Sequence, residues 1–233
     1  QVKLPSHAPL GTLRSHQPIF EDPSRVRGKR DYIAGDSLRR VDWKASASKG
    51  SLQVKLLEPS IALETAIFLN LNAAEYNIHA RFGVPELAIV VAASLANWVT
   101  SVRQAAGIIT NGADPLLEGK PPLPIPPRRG RGHLMRILEL LARIQVAETI
   151  PFVELLRQEA SLLPWGTTLI VITNKIDDDL FDALINARRS GLSIFLIQCG
   201  PMTNFEEMRK KASYFGMLVH QIIEEEDLDI WRR

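Results

Sequence analysis

Four short, nearly unbroken apolar runs constrain this chain more than any other feature: residues 66–71 (AIFLNL), 106–110 (AGIIT), 168–173 (TLIVIT) and 192–198 (LSIFLIQ). A strand with one face in water alternates apolar and polar residues, whereas a strand buried on both faces reads as a continuous run. The runs are separated by helical patterns. Residues 85–103 place Pro85 in a first turn, where its missing N–H costs nothing. Residues 132–146 set Leu134, Ile137, Leu138, Leu141 and Ile144 on one stripe, and residues 151–162 read as another helix. Asp177 to Asp179 open a helix at the end that favours negative charge; it runs through Arg188 and Arg189 and stops at Gly191. A helix at 205–215 and a short strand at 217–222 close the pattern. Strands alternating with helices of this length predict a mostly parallel sheet with helices on both faces, an α/β fold.

Composition narrows the class. Of the 233 residues, 45% are hydrophobic and 23% charged, which is globular composition. A net charge of +2 argues against a nucleic-acid-binding domain, which carries a marked basic excess. Cys199 is the only cysteine, so no intrachain disulfide can form. No apolar run approaches the ~20 residues that span a bilayer; the longest, 87–99, is interrupted by Asn97. The start at Gln1 and the lack of a leader pattern lead us to expect a fragment of a longer protein.

The chain divides by composition into residues 1–62 and 63–233. The first part is rich in Pro, Arg, Asp and Ser, contains one alternating strand pattern at 52–56, and reads as an extended arm. Within the second part, residues 112–130 carry Pro115, Pro121, Pro122, Pro124, Pro126 and Pro127 and must be extended or looped. A loop this long in a compact domain favours a functional role. Arg128, Arg129 and Arg131 at its end are candidate partner-binding residues.

Open parallel sheets bind ligands beyond the carboxyl ends of their strands. Those ends are residues 70–75, 110–114, 173–178 and 199–203. Asn174-Lys175-Ile176-Asp177 matches the N-K-x-D pattern by which GTPases read guanine, but no G-x-x-x-x-G-K-[ST] loop occurs to hold phosphates. Asp177 also reads as a helix cap. The alternative is a metal site. The von Willebrand factor A fold places D-x-S-x-S after its first strand and an Asp after its fourth; the matching positions here are Asn70, Asn72, Ala74 and Asn174. A hard cation wants oxygen ligands with at least one carboxylate. Amides in place of both carboxylates predict a degenerate site holding Mg²⁺ weakly or not at all, with Asn70 and Asn72 capping the next turn instead. The five histidines show no metal-ligand spacing, no Ser sits in a G-x-S-x-G elbow, and Cys199 at a strand end reads as a small core residue. The chain carries no catalytic constellation in its sequence.

Residues 28–55 (GKRDYIAGDSLRRVDWKASASKGSLQVK) are the most distinctive stretch. Arg30, Arg39 and Arg40 alternate with Asp31, Asp36 and Asp42, a spacing suited to guanidinium–carboxylate pairing. Tyr32 and Trp43 are candidate buried anchors, and Gly35-Asp36 marks a turn. The pattern Arg30, Tyr32, Gly35, Asp36, Arg39, Val41, Trp43, Ala45, Ser46, Ala47 resembles the hallmark of the family called domain of unknown function 58, with Val41 for its usual Ile. That resemblance implies a von Willebrand factor A-like, Rossmann-type domain after the hallmark and membrane-spanning helices in the parent protein. It also implies a MoxR-type AAA+ ATPase as partner at the cytoplasmic face of the membrane. The expected function is a protein-interaction or adaptor module that needs no cofactor. The alternatives are a metal-dependent hydrolase or GTPase-like enzyme, and a purely structural domain.

Overall fold

The computed structural model describes residues 21–33, 41–59, 64–76 and 83–231, which fall into two compact units, within Thr12–Ile61 and Ala62–Arg233. Three of the hallmark positions, Gly35, Asp36 and Arg39, lie outside the described residues, as does Arg40.

In the first unit, strand β1 (Glu21–Asp31) pairs antiparallel with β2 (Gln53–Pro59), in a register that sets Arg30 opposite Val54 and Asp31 opposite Gln53. Helix α1 (Trp43–Lys49) lies between them in sequence. Seven residues are too few for a helix to stand on propensity, so its ends decide it. The Asp42 carboxylate accepts from the Ala45 N–H at 3.0 Å. Gly50 closes the other end in the left-handed region, its N–H donating to the Ser46 carbonyl. Buried Ser46 donates to the Asp42 carbonyl at 2.7 Å and accepts from the Gln53 N–H at 2.8 Å, stitching the helix to β2. The hallmark W-x-A-S-A is therefore a capped helical turn within a strand–helix–strand unit; the sequence reading had placed one strand here and no helix. Two other expectations are corrected. Asp31 and Asp42 pair with lysines, Lys49 at 3.1 Å and Lys29 at 2.9 Å, where the sequence pointed to arginines; Asp36, Arg39 and Arg40 lie outside the described residues. Trp43 is 66% exposed and not the buried anchor expected, while Tyr32 is half-buried.

The second unit is a six-stranded sheet of β3 (Glu64–Leu69), β4 (Ala105–Thr110), β5 (Ile125–Arg128), β6 (Thr168–Thr173), β7 (Ser193–Cys199) and β8 (Leu218–Ile222), in the order β5-β4-β3-β6-β7-β8. All pairings are parallel except β4 with β5. Alternate residues of each central strand face opposite cores. Ile67, Leu69, Ile170, Ile172, Phe195 and Ile197 pack with helices α2 (Val84–Ser101) and α3 (Arg131–Leu141). Phe68, Leu169, Val171, Ile194 and Leu196 pack with α4 (Phe152–Ala160), α5 (Asp178–Arg189) and α6 (Phe205–Tyr214). Both faces are covered, which is why the runs are continuous in sequence.

Helix α2 is long and apolar enough, by length and composition, to cross a membrane. Here Leu87, Ala88, Val91, Ala92, Leu95, Ala96 and Val99 are buried at helical spacing against the sheet. The proline-rich segment supplies a sixth strand that its composition hid. Pro126 and Pro127 cannot donate to a ladder, so β5 occupies the sheet edge, where a missing donor is tolerated. Its close approach depends on Gly107 in β4: a side chain there would sit 2.6 Å from the Ile125 carbonyl oxygen and from the Pro127 nitrogen.

Candidate functional site

Polar side chains from several segments meet at the carboxyl ends of β3, β4 and β6. Asn70, which follows β3, is 1% exposed. Its amide nitrogen donates to Glu75 Oε2 at 2.8 Å and to Thr173 Oγ1 at 3.0 Å. Its Oδ1 accepts from the Asn72 N–H at 3.1 Å and from Asn111 Nδ2 at 3.2 Å. The Asn72 oxygen accepts from the Ala74 N–H at 3.2 Å, capping the 3₁₀ turn Ala73–Glu75, and its amide nitrogen donates to Glu75 Oε1 at 3.3 Å. Glu75 Oε1 also accepts from the Phe152 N–H at 2.8 Å, at the start of α4. Tyr76 donates its hydroxyl to the Asn70 carbonyl at 2.6 Å, and burial pushes that phenol above its ordinary pKa.

The network fixes which way the amides point. Turning Asn70 over would set its oxygen against a carboxylate and its nitrogen against two N–H donors. N–H groups, not amide oxygens, therefore face Glu75, whose carboxylate already accepts three of them. That donor set does not suit a divalent cation, which wants a converging set of oxygens. Among the described residues, no group of three or more His, Cys, Asp or Glu side chains is placed to hold a metal ion.

The other candidates from the sequence lie elsewhere. Asn174 turns toward β7, donating to the Cys199 carbonyl at 2.8 Å, while its own carbonyl accepts from Gln198 Nε2 at 2.7 Å. Its neighbour Thr173 is the residue of β6 that meets Asn70. In the N-K-x-D stretch, Asp177 Oδ1 caps α5 through the Leu180 N–H at 2.9 Å and Oδ2 pairs with Lys175 at 2.9 Å, so both oxygens are engaged. Burial pushes the Cys199 thiol up to about 12, leaving it neutral. Because β5 runs antiparallel to β4 and pairs Arg128 with Ala106, the exposed Arg128, Arg129 and Arg131 sit at the amino edge of the sheet. They do not join the carboxyl-edge network.

Two residues that the sequence reading did not single out organise this edge. Asn111, wholly buried, accepts from the Leu71 N–H at 2.7 Å and donates to the Ile150 carbonyl at 3.1 Å. Glu75 joins Asn70, Asn72 and α4. An Asn directly after a buried strand was the available signal for Asn111; for Glu75 it was the spacing from Asn70 and Asn72, five and three residues before it, while its bond from Phe152 comes from 77 residues away.

Beside the network, the Asp114 side chain is 2% exposed and pairs with Arg143 at 3.0 Å, which fastens the turn after β4 to the end of α3. The Arg143 guanidinium holds the Asp114 carboxyl below the usual carboxylate range. A carboxyl lowered on folding stabilises the fold above its unfolded pKa, about 4, and that stabilisation is lost as pH falls through the lower folded value. In urea titrations, Asp114→Asn should cost stability at pH 7 by about 1–3 kcal/mol, and the gap to wild type should close as pH approaches about 2. A gap constant with pH would show that the ion pair contributes nothing.

The chain's fold has counterparts among solved structures. A von Willebrand factor type A protein from Catenulispora acidiphila aligns with a TM-score of 0.50 at 14% identity, over 72% of this chain and 41% of that one. The chain therefore spans less than half the length of that structure. An aerotolerance-related membrane protein from Bacteroides fragilis aligns with a TM-score of 0.48 at 12% identity, over 72% of this chain and 96% of that one. No match to a curated protein sequence is found. The family described as "Protein of unknown function DUF58" matches residues 28–189, a span that takes in most of the hallmark unit and the sheet through β6 and α5. With that match over more than half its length and a von Willebrand factor A-like sheet behind the hallmark, the chain belongs to the DUF58 family.

Proposed function

We propose that this chain is a protein-interaction module, not an enzyme, that works with a MoxR-type AAA+ ATPase at the cytoplasmic face of a membrane. The observation that carries the reading is the surface formed by the proline-rich segment. Leu116 and Leu123 are 75% and 84% exposed. Arg128, Arg129 and Arg131 follow on the same segment, exposed and without an ion pair among the described residues. Three exposed cations at and just after the end of the edge strand β5, with Leu123 exposed just before it, suit a partner surface that offers acidic groups. The carboxyl edge is, in this reading, a degenerate metal-ion-dependent adhesion site that works without Mg²⁺. The amides at Asn70, Asn72 and Asn174 and the methyl of Ala74 support it.

In a pull-down with a MoxR-type ATPase from the same organism, the triple charge reversal Arg128→Glu, Arg129→Glu, Arg131→Glu should weaken capture at least ~10-fold, with a steep salt dependence in the wild type. Equal capture by both chains would remove this surface from the interaction. Failure of the wild type to capture the ATPase would reject the partner.

A further inference from the structure

We propose that the carboxyl edge of the sheet is a carboxylate-binding cradle that the chain fills with its own Glu75. The proposal deepens the metal-free reading of this edge and rests on it. Three N–H groups from two segments of the chain converge on one carboxylate: Asn70 Nδ2 on Oε2, and Asn72 Nδ2 and the Phe152 N–H on Oε1. Hydrogen bonds from N–H groups to an ionised carboxylate are about twice as strong as neutral ones. The cradle does not depend on its occupant for its shape. Asn70 is held by Thr173, Asn111 and the Asn72 N–H, and Asn72 by the Ala74 N–H. Phe152 is 1% exposed and sits in the core.

Glu75, by contrast, hangs on a three-residue 3₁₀ turn and is only half-buried. On its open side lies a pocket of about 180 Å³, walled by Phe152, Lys175, Asp177 and Asp179 among others. Lys175 is paired with Asp177, and Asp179 adds another negative charge, so the pocket does not draw a second carboxylate from solution. A carboxylate tethered in the same chain overcomes that repulsion through its high effective concentration. The resident ligand therefore closes the edge, and a partner that uses this edge must present a carboxylate able to displace Glu75.

Glu75→Ala empties the cradle and should lower the melting temperature by roughly 5 °C. Sodium formate at about 100 mM, against sodium chloride at equal ionic strength, should restore about 3 °C of it. The wild type, with its cradle occupied, should show no such difference, and neither should Glu75→Gln, which fills the space. Adding Asn70→Asp to Glu75→Ala replaces a donor with a negative charge and should abolish the formate response. If Glu75→Ala does not fold in chloride, its refolding yield in formate against chloride gives the same readout. No formate effect on Glu75→Ala overturns this proposal alone. Stabilisation of Glu75→Ala by millimolar MgCl₂ instead of formate overturns both this proposal and the metal-free reading of the edge.

Discussion

Gly107→Ala should detach strand β5 from the sheet. The added methyl would lie 2.6 Å from the Ile125 carbonyl oxygen, 2.6 Å from the Pro127 nitrogen and 2.8 Å from the Pro126 carbonyl carbon. All three are backbone atoms, so no rotamer change can make room. β5 must move, and it is held to β4 by a short antiparallel pairing at Arg128–Ala106 and Ile125–Ile108. Overpacking at such a contact costs about 1–3 kcal/mol, so the melting temperature should fall by several degrees. Hydrogen exchange locates the effect: amides of β4 should lose protection while those of β6 and β7 keep it. The His133 ring, which lies 3.0 Å from the Ala106 carbonyl, is a second reporter of the same edge. Because β5 carries the segment that presents Arg128, Arg129 and Arg131, Gly107→Ala should also reduce ATPase capture with every arginine in place. Full stability and unchanged exchange would mean that β5 is not packed as closely as this geometry requires.

Asn111→Leu is expected to be comparably damaging for a different reason. The side chain is wholly buried and serves three groups: the Leu71 N–H, the Asn70 side-chain oxygen and the Ile150 carbonyl. Leucine fills a similar volume but satisfies none of them. The Leu71 N–H is left without a partner, which costs about 1–3 kcal/mol. The Asn70 oxygen and the Ile150 carbonyl each lose one bond, at about 1 kcal/mol apiece, and keep their bonds from Asn72. About 3–5 kcal/mol of destabilisation is therefore expected. Urea unfolding should show a lower midpoint with an unchanged slope, as expected where stability changes and the compactness of the end states does not. Loss of Asn111 also frees one side of Asn70, so the pair Asn111→Leu and Glu75→Ala should be non-additive. Strict additivity would separate the two residues and contradict a shared network.

How far each part of this molecule was legible before folding depends on how local its causes are. Strand β6 coincides with the apolar run at 168–173, and α5 begins after Asp177 as its acidic first turn predicts. In each case period, propensity and capping act within a few residues of one another. Helix α1 escaped because seven residues carry too little periodicity, and it is held by Asp42, Ser46 and Gly50 acting together with β2. Strand β5 escaped because its prolines argue against a strand everywhere except on an edge. The burial expected of Trp43 was an inference from ring size alone, and the chain leaves that ring exposed.

The carboxyl edge divides in the same way. Sequence alone determined that amides stand at Asn70 and Asn174, where the von Willebrand factor A pattern has Asp, and at Asn72, where it has Ser, and that the sheet is parallel and buried on both faces. Those properties follow from residue identity and from spacing along one strand or helix. Only the tertiary structure decided that Thr173, and not Asn174, meets Asn70. The same holds for Asn111 as the brace between β3 and the loop before α4, for Glu75 as the occupant of the amide donors, and for the arginines at the opposite end of the sheet. Each of those depends at least in part on hydrogen bonds between segments tens of residues apart, such as the one from Phe152 to Glu75. Which of many possible partners satisfies a buried polar group is set by strand order and by the reversal of β5, and neither is written in any local stretch of the chain.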